Sequence, residues 1–293
     1  MPMATSPDAS ATEPAPGLLL DGRCLVIIGG TRGLGASAAR ACLRQGARLV
    51  VVGREAPAPE EWPRQGAYDR LEVIVADALE PGTAERAIET CERRFGGFHG
   101  LYHVAGGSGR AWGDGPLHTI PVEGWRQTLD LNLTTAFLSN SAAIRWFLER
   151  RQPGCLLNCG SVLAESPSPT LFGTAAYATA KAALIGLTRA AAAAYASHDI
   201  RVNLVAPGLT ATPMSLRAQT DPTIRDFIPR KQPLDGGRIG RPEDLDDAVV
   251  WLLSEGSRFV TGQVLSIDGG WSVSDASPPG VRPNPTPDKS ASE

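Results

Sequence analysis

The chain has 293 residues, 42% of them hydrophobic and 20% charged, with a formal net charge of -3 at pH 7. That balance suits a folded globular body and gives neither a basic excess for nucleic acid nor a cationic block for an acidic membrane surface. No apolar run reaches the ~20 residues of a membrane helix, and the start Met-Pro-Met-Ala-Thr-Ser-Pro-Asp has no basic region, so a cytoplasmic protein without a membrane partner is the simplest reading.

Residues 1–17 are rich in Pro, Ala, Ser and Thr, and 274–293 hold too little apolar surface to order themselves. Both predict disordered tails around one domain spanning 18–273. Cys24–Ile28 is a short apolar run and predicts the first strand. It leads through Gly29-Gly30-Thr31-Arg32-Gly33-Leu34-Gly35 into an Ala-rich helical stretch ending at Gln45. Glycines permit a tight turn and the close approach of a pyrophosphate, whose charge a helix N-terminus favours. A glycine cluster alone is as readily a plain turn. Its place between first strand and first helix points to a dinucleotide, with Gly29, Thr31, Arg32, Gly33, Leu34 and Gly35 as its cradle.

Arg48–Val52 predicts the second strand, and its end selects the cofactor. An acid there suits a ribose 2′-hydroxyl, and Arg suits a 2′-phosphate. Arg54 follows Gly53, Arg32 lies in the first loop, and no acid intervenes before Glu55. The two arginines favour NADP(H) over NAD(H), although each also reads as a solvated surface residue. An exposed Pro- and Glu-containing segment precedes the third strand, Leu71–Ala76. Asp77, followed by Ala78, is then placed either to face an adenine or to cap a loop.

Further along, 82–95 predicts a helix, Leu101–Val104 a strand, 121–150 one long helix, and Gly154–Cys159 a fifth strand. An Ala-rich helix at 174–197, a strand at Ile200–Val205, a helix at 242–253 and a strand at Val264–Ile267 complete the series. Short β-branched strands separated by helices imply an α/β fold, a Rossmann-like doubly wound and mainly parallel seven-stranded sheet with helices on both faces.

Cys24, Cys42, Cys91, Cys155 and Cys159 show no metal or redox spacing and read as buried thiols in a reducing compartment. The four histidines are scattered, and no metal site is expected. Tyr177 and Lys181 stand four apart in an uninterrupted helical stretch, and so on one helix face. The neighbouring ammonium lowers the cost of ionising a phenol, which lets Tyr exchange a proton near neutrality. On many helices the same spacing is a solvated surface pair. Here it comes in sequence with the other motifs.

That order of motifs resembles the short-chain dehydrogenase/reductase family from about Asp21 to Val273. The glycine turn resembles the family's Thr-Gly-x-x-x-Gly-x-Gly with Ile28 in the Thr position. His103-Val104-Ala105-Gly106 resembles Asn-Asn-Ala-Gly, with both Asn positions replaced. Pro207-Gly208, with Thr210 and Thr212 beyond, looks like the nicotinamide-side turn, and Gly262–Gly270 looks like the C-terminal strand and loop.

The resemblance implies Tyr177 as general acid or base and Lys181 as the residue that lowers its pKa and binds the nicotinamide ribose. It implies Ser161 as hydrogen-bond donor to the substrate oxygen and Asn132 as holder of a water relay, the alternative for Asn132 being a polar residue that bends its own helix. Ser166 and Ser168 are rivals to Ser161, because Gly160 replaces the first of the family's two Ser and Ser161 lies farther from the Tyr. Ala105, Gly106, Pro207, Gly208, Thr210 and Thr212 join the cofactor contacts. Substrate choice falls to 107–117, 162–174 and the lid-like stretch 209–236, where Trp112, Leu163, Phe172, Met214 and Leu216 either line an apolar pocket or simply pack. The implied activity is NADPH-dependent reduction of a small-molecule ketone to a secondary alcohol. The alternatives are NAD-dependent alcohol oxidation and a catalytically silent dinucleotide sensor or scaffold. Relatives pair the helices corresponding to 121–150 and 174–197, which implies a homotetramer or dimer.

Overall fold

A computed structural model describes residues 17–57 and 68–276. The rest of both expected tails, and most of the segment ahead of the third strand, lie outside the described residues. The strands are β1 (Cys24–Ile28), β2 (Arg48–Gly53), β3 (Leu71–Val75), β4 (Gly100–His103), β5 (Gly154–Cys159), β6 (Ile200–Pro207) and β7 (Val264–Ile267). They form one parallel sheet in the order β3-β2-β1-β4-β5-β6-β7. The order reverses between β1 and β4. A crevice opens there beyond the carboxyl ends of the strands, the place where such sheets take ligands.

Helices α1 (Gly33–Arg44), α2 (Thr83–Phe95), α3 (Val122–Leu129), α4 (Thr135–Arg150), α5 (Pro169–Phe172) and α6 (Ala175–Tyr195) come first. They are followed by α7 (Leu216–Thr220), α8 (Pro222–Lys231) and α9 (Asp246–Leu253). Alternate residues of a strand face opposite sides, so each strand feeds two cores. Leu25, Ile27, Leu49 and Val51 pack with Ala39, Cys42, Val249 and Leu253 of α1 and α9. Val26, Ile28, Val50 and Val52 pack on the other face with Ile88, Cys91, Trp146 and Phe147 of α2 and α4. Burying each such large aliphatic side chain contributes about 1.5–3 kcal/mol.

The single helix expected over 121–150 is instead α3, a π-turn over Asp130–Thr134, and α4. Polar side chains in this stretch compete for carbonyls one turn back. Thr128 Oγ1 donates to Gly124 O at 2.7 Å, Asn132 Nδ2 to Thr128 O at 2.9 Å, and Thr135 Oγ1 to Leu131 O at 2.8 Å. Such back-bonding loosens the regular ladder, and one extra residue is accommodated there.

The stretch 209–236 is more ordered than its Pro-, Arg- and Asp-rich composition suggests. Asp221 caps α8 by accepting from Thr223 N at 2.9 Å. Ala218, Ile224 and Ile228 close a small separate core with Val162 and Trp271. The ordered body also runs past Val273, since Ser274 Oγ donates to Arg230 O at 2.6 Å and Lys231 Nζ to Ser274 O at 2.7 Å.

Candidate active site

The crevice at the β1/β4 reversal is a cavity of about 450 Å³, within the range of small-molecule sites. Its floor is shaped by missing side chains. Gly29 has φ +89°, and a Cβ there would lie 2.5 Å from Ala105 N. The turns after β1 and β4 therefore touch. At Gly35 a Cβ would meet Gly29 O at 2.1 Å, so this glycine serves to seat α1 on the turn. It does not line the cavity. No side chain caps α1 at Arg32, so the first-turn amides of the helix remain for an anion. These features fit a dinucleotide pyrophosphate.

The other cofactor candidates, Gly29, Thr31, Arg32, Gly33, Leu34, Arg54, Asp77, Ala78, Ala105, Gly106, Tyr177, Lys181, Pro207, Gly208, Thr210 and Thr212, all line this one cavity. Asp77 also does the loop work foreseen for it, accepting from Leu79 N at 2.9 Å. Arg32 is ion-paired with Glu55, and both face the cavity. The acid after β2 therefore neutralises one of the two arginines. Arg54, exposed on the same wall, makes no ion pair with another described residue.

Ser161, Tyr177 and Lys181 line the same cavity. Lys181 is 3% exposed, its Nζ donates to Cys159 O at 2.8 Å, and it lies 5.7 Å from the Tyr177 ring centre. Burial lowers its pKa, with the Cys159 thiol opposing. Ser161 Oγ accepts from Leu163 N at 3.2 Å. Its rivals are elsewhere: neither Ser166 nor Ser168 lines the cavity, and Ser166 spends its carbonyl on Trp271 Nε1 at 3.0 Å.

The Tyr177 phenol departs from expectation. Burial raises its pKa above the ordinary phenol value, the Cys159 thiol adds to the rise, and a hydrogen bond with Ser161 opposes it. Lys181 Nζ is turned toward the backbone carbonyl of Cys159.

Asn132 is fully buried and does not line the cavity. Its Oδ1 accepts from Gly107 N at 3.0 Å, and its Nδ2 donates to Gly107 O at 2.9 Å and to Thr128 O. A Cβ on Gly106 would lie 2.8 Å from Asn132 Oδ1 and 3.2 Å from Lys181 Nζ. The amide thus pins the loop after β4 against the lysine. The replaced Asn positions of that loop are compensated locally. His103 is buried with Nδ1 2.8 Å from Ser139 Oγ and Nε2 3.3 Å from Thr135 Oγ1, and Val104 N donates to Ile28 O at 2.8 Å.

Of the apolar candidates, Leu163, Phe172 and Met214 line the cavity. Trp112 does not, because its turn, Gly109–Trp112, is packed against α3, where a Cβ on Gly124 would strike Trp112 O at 1.9 Å. Leu216 does not either; it opens α7 and is 62% exposed. Sequence reasoning missed Asp114, Arg110, Arg217 and Trp271. Asp114 is 4% exposed and its carboxylate accepts from Ala176 N and Tyr177 N, each at 3.0 Å, at the start of α6. The contact spans more than sixty positions, and no local pattern announces it.

Fold and cavity together define a dinucleotide-binding oxidoreductase of the doubly wound α/β class. Residues 29–272 match a family model described as "Enoyl-(Acyl carrier protein) reductase". 2-(S)-hydroxypropyl-CoM dehydrogenase 3 of Xanthobacter autotrophicus is 34% identical over 266 residues, covering 86% of this chain and 97% of that protein. The inactive 2-(S)-hydroxypropyl-CoM dehydrogenase 2 of the same organism is 37% identical over 239 residues, covering 79% and 98%.

Among solved structures, a gluconate 5-dehydrogenase from Burkholderia cenocepacia, in complex with NADP and tartrate, superposes with TM-score 0.76 at 29% identity, covering 87% of this chain and 97% of that one. A 3-ketoacyl-(acyl-carrier-protein) reductase from Brucella melitensis, complexed with NADH, gives 0.73 at 26% identity, covering 87% and 100%. The chain belongs to the short-chain dehydrogenase/reductase family, oxidoreductases that act on CH–OH and C=O groups with NAD(P).

Proposed function

We propose that the chain is an NADP(H)-dependent ketoreductase, converting a ketone to a secondary alcohol reversibly. The observation that carries this is that Ser161, Tyr177 and Lys181 line the same cavity as the dinucleotide candidates. When bound, the nicotinamide supplies or accepts a hydride at its C4. Ser161 orients the substrate oxygen and stabilises charge developing on it. Tyr177 gives that oxygen a proton. The same phenol gives the proton in reduction and takes it back in oxidation, so the reaction is reversible at this group. Lys181 would hold the nicotinamide ribose hydroxyls, and it keeps a positive charge close to the phenol.

Asn132 is a positioning residue in this reading, since its side chain is taken up by Gly107 and Thr128. Tyr177→Phe tests the proposal. It should keep NADPH binding in a fluorescence titration while kcat falls by about 10²–10⁴-fold on any ketone that is turned over. Unchanged kcat sinks the mechanism.

The Arg32–Glu55 pair favours a second reading, NAD-dependent oxidation of an alcohol. We favour NADP(H) because Arg54 makes no ion pair with another described residue and lines the cavity, where it suits a 2′-phosphate. Arg54→Ala should then weaken NADPH relative to NADH by roughly tenfold. Selectivity that does not move with this variant returns the choice to Glu55.

Two further features support the homo-oligomer and the reducing compartment. Phe137 on α4 is 54% exposed, and Ala190, Ala193 and Ala194 on α6 are exposed beside buried Ala191 and Ala192, a smooth face that a second copy could cover. A light-scattering mass of one chain would count against it. All five cysteines are free and buried, and no helix among the described residues is long and apolar enough to cross a membrane.

A further inference from the structure

Two arginines that belong to neither the cofactor cradle nor the catalytic group also line the cavity, Arg110 and Arg217. We propose that the substrate carries an oxyanion tail, a carboxylate or a sulfonate, seated between these two guanidinium groups, with its ketone at Tyr177; this rests on the ketoreductase reading above.

The arginines come from separate and well-fixed elements. Arg110 belongs to the turn Gly109–Trp112, whose start is set by Ser108 Oγ accepting from Arg110 N at 3.3 Å. That turn is pressed on α3 so closely that a Cβ at Gly109 would sit 2.0 Å from Thr128 Oγ1. Arg217 belongs to α7, and its guanidinium donates to Leu171 O at 2.9 Å and lies 3.7 Å from Asp221. Several arginines here face a carboxylate: Arg145 with Glu85 at 2.6 Å, Arg150 with Glu92 at 2.9 Å, Arg238 with Asp244 at 2.6 Å.

The Arg110 guanidinium has no hydrogen bond or ion pair with another described residue. The acid nearest in sequence, Asp114, has committed both oxygens to the start of α6. Partial burial lowers the Arg110 pKa first and the charge of Arg217 second, with Asp114 opposing, so the two cations feel one another. Asp221 offsets part of the Arg217 charge, and an anion bridging the two guanidinium groups relieves the repulsion that remains and gains charge-assisted hydrogen bonds. The same lining includes Leu163, Phe172 and Met214, which suits an aliphatic spacer. Two solvated surface arginines would be the ordinary account, but that account does not place both on the same cavity as Tyr177.

The test uses the full chain saturated with NADP⁺ and isothermal titration with methyl-ketone acids of about five to eight carbons, their sulfonate counterparts and their methyl esters. At least one anion should bind about tenfold tighter than its ester, with the advantage shrinking at high salt. Whether the carboxylate or the sulfonate arm binds better distinguishes the two tails. Arg110→Gln should collapse the anion-to-ester ratio toward one, and Arg110→Lys should restore part of it. Equal binding of anion and ester, a ratio untouched by Arg110→Gln, or no binding of any anion in the millimolar range overturns the proposal.

Turnover with NADPH separates this from the reading beneath it. Reduction of esters and acids alike, without preference, sinks the anion seat and leaves the ketoreductase. Anion preference in binding with no turnover of any ketone sinks the ketoreductase and leaves the seat.

Discussion

Asp114 shows how a single side chain sets the height of the reactive phenol. The residue at the start of α6, Thr174, offers no side-chain cap, and the carboxylate of Asp114 takes its place from a loop after β4. Its two oxygens hold the amides of Ala176 and of Tyr177 itself, an ionised acceptor at the positive end of a helix dipole. Removing it leaves two amides without a partner and frees the first turn. Asp114→Ala should cost about 1–2 kcal/mol in denaturant unfolding and lower kcat more than it changes KM. Asp114→Asn, which keeps one acceptor oxygen, should recover part of both. A loss of stability with kcat intact would mean that the cap holds the helix without placing the phenol.

The π-turn between α3 and α4 is the element where expectation and structure part most instructively. Apolar periodicity across 121–150 is that of a helix, and the backbone is helical throughout, so the pattern was legible. An inserted residue leaves no mark on that pattern, because it arises from Thr128, Asn132 and Thr135 bonding back along their own turn. The sheet and its order of elements were readable for a simple reason: β-branched runs of strand length alternate with Ala-rich helices. The glycine turn and the Tyr–Lys spacing were readable because both are local. Trp112 and Leu216 were not, since hydrophobicity says that a side chain seeks cover and not which cover it finds.

Asn132 carries a prediction at this scale. Asn132→Ala should destabilise the fold by about 1–3 kcal/mol and weaken NADPH binding, because Gly106 and Gly107 lose the amide that pins them at the cavity wall. A fall in kcat alone, with melting temperature and NADPH affinity unmoved, would favour the water relay instead.

At the scale of the whole molecule, two buried groups on opposite sides of the sheet oppose one another in pH. His103 is 1% exposed, and burial first and the Lys181 charge second push its pKa down to about 3 from an ordinary 6.5. As pH falls from 6.5 toward 3, the unfolded chain takes a proton that the folded chain refuses, so His103 drains stability. Asp246, on α9, has Oδ2 3.0 Å from Ser37 Oγ while Oδ1 is buried with no hydrogen-bond partner among the described residues. Burial raises its pKa from 3.8 to about 6, against the pull of Ser37 and Arg44. Its contribution has the opposite sign: full below 3.8 and lost as pH rises through about 6. Each slope is at most about 1.4 kcal/mol per pH unit, so between pH 4 and 6 the two largely cancel. Urea unfolding of His103→Asn in that window should show stability rising as pH falls, and Asp246→Asn should show it falling. The double variant should be flat again apart from the surface carboxylates. If both single variants keep the parent's pH dependence, these two groups do not govern it, and the burial that defines the two faces of the sheet is looser than described.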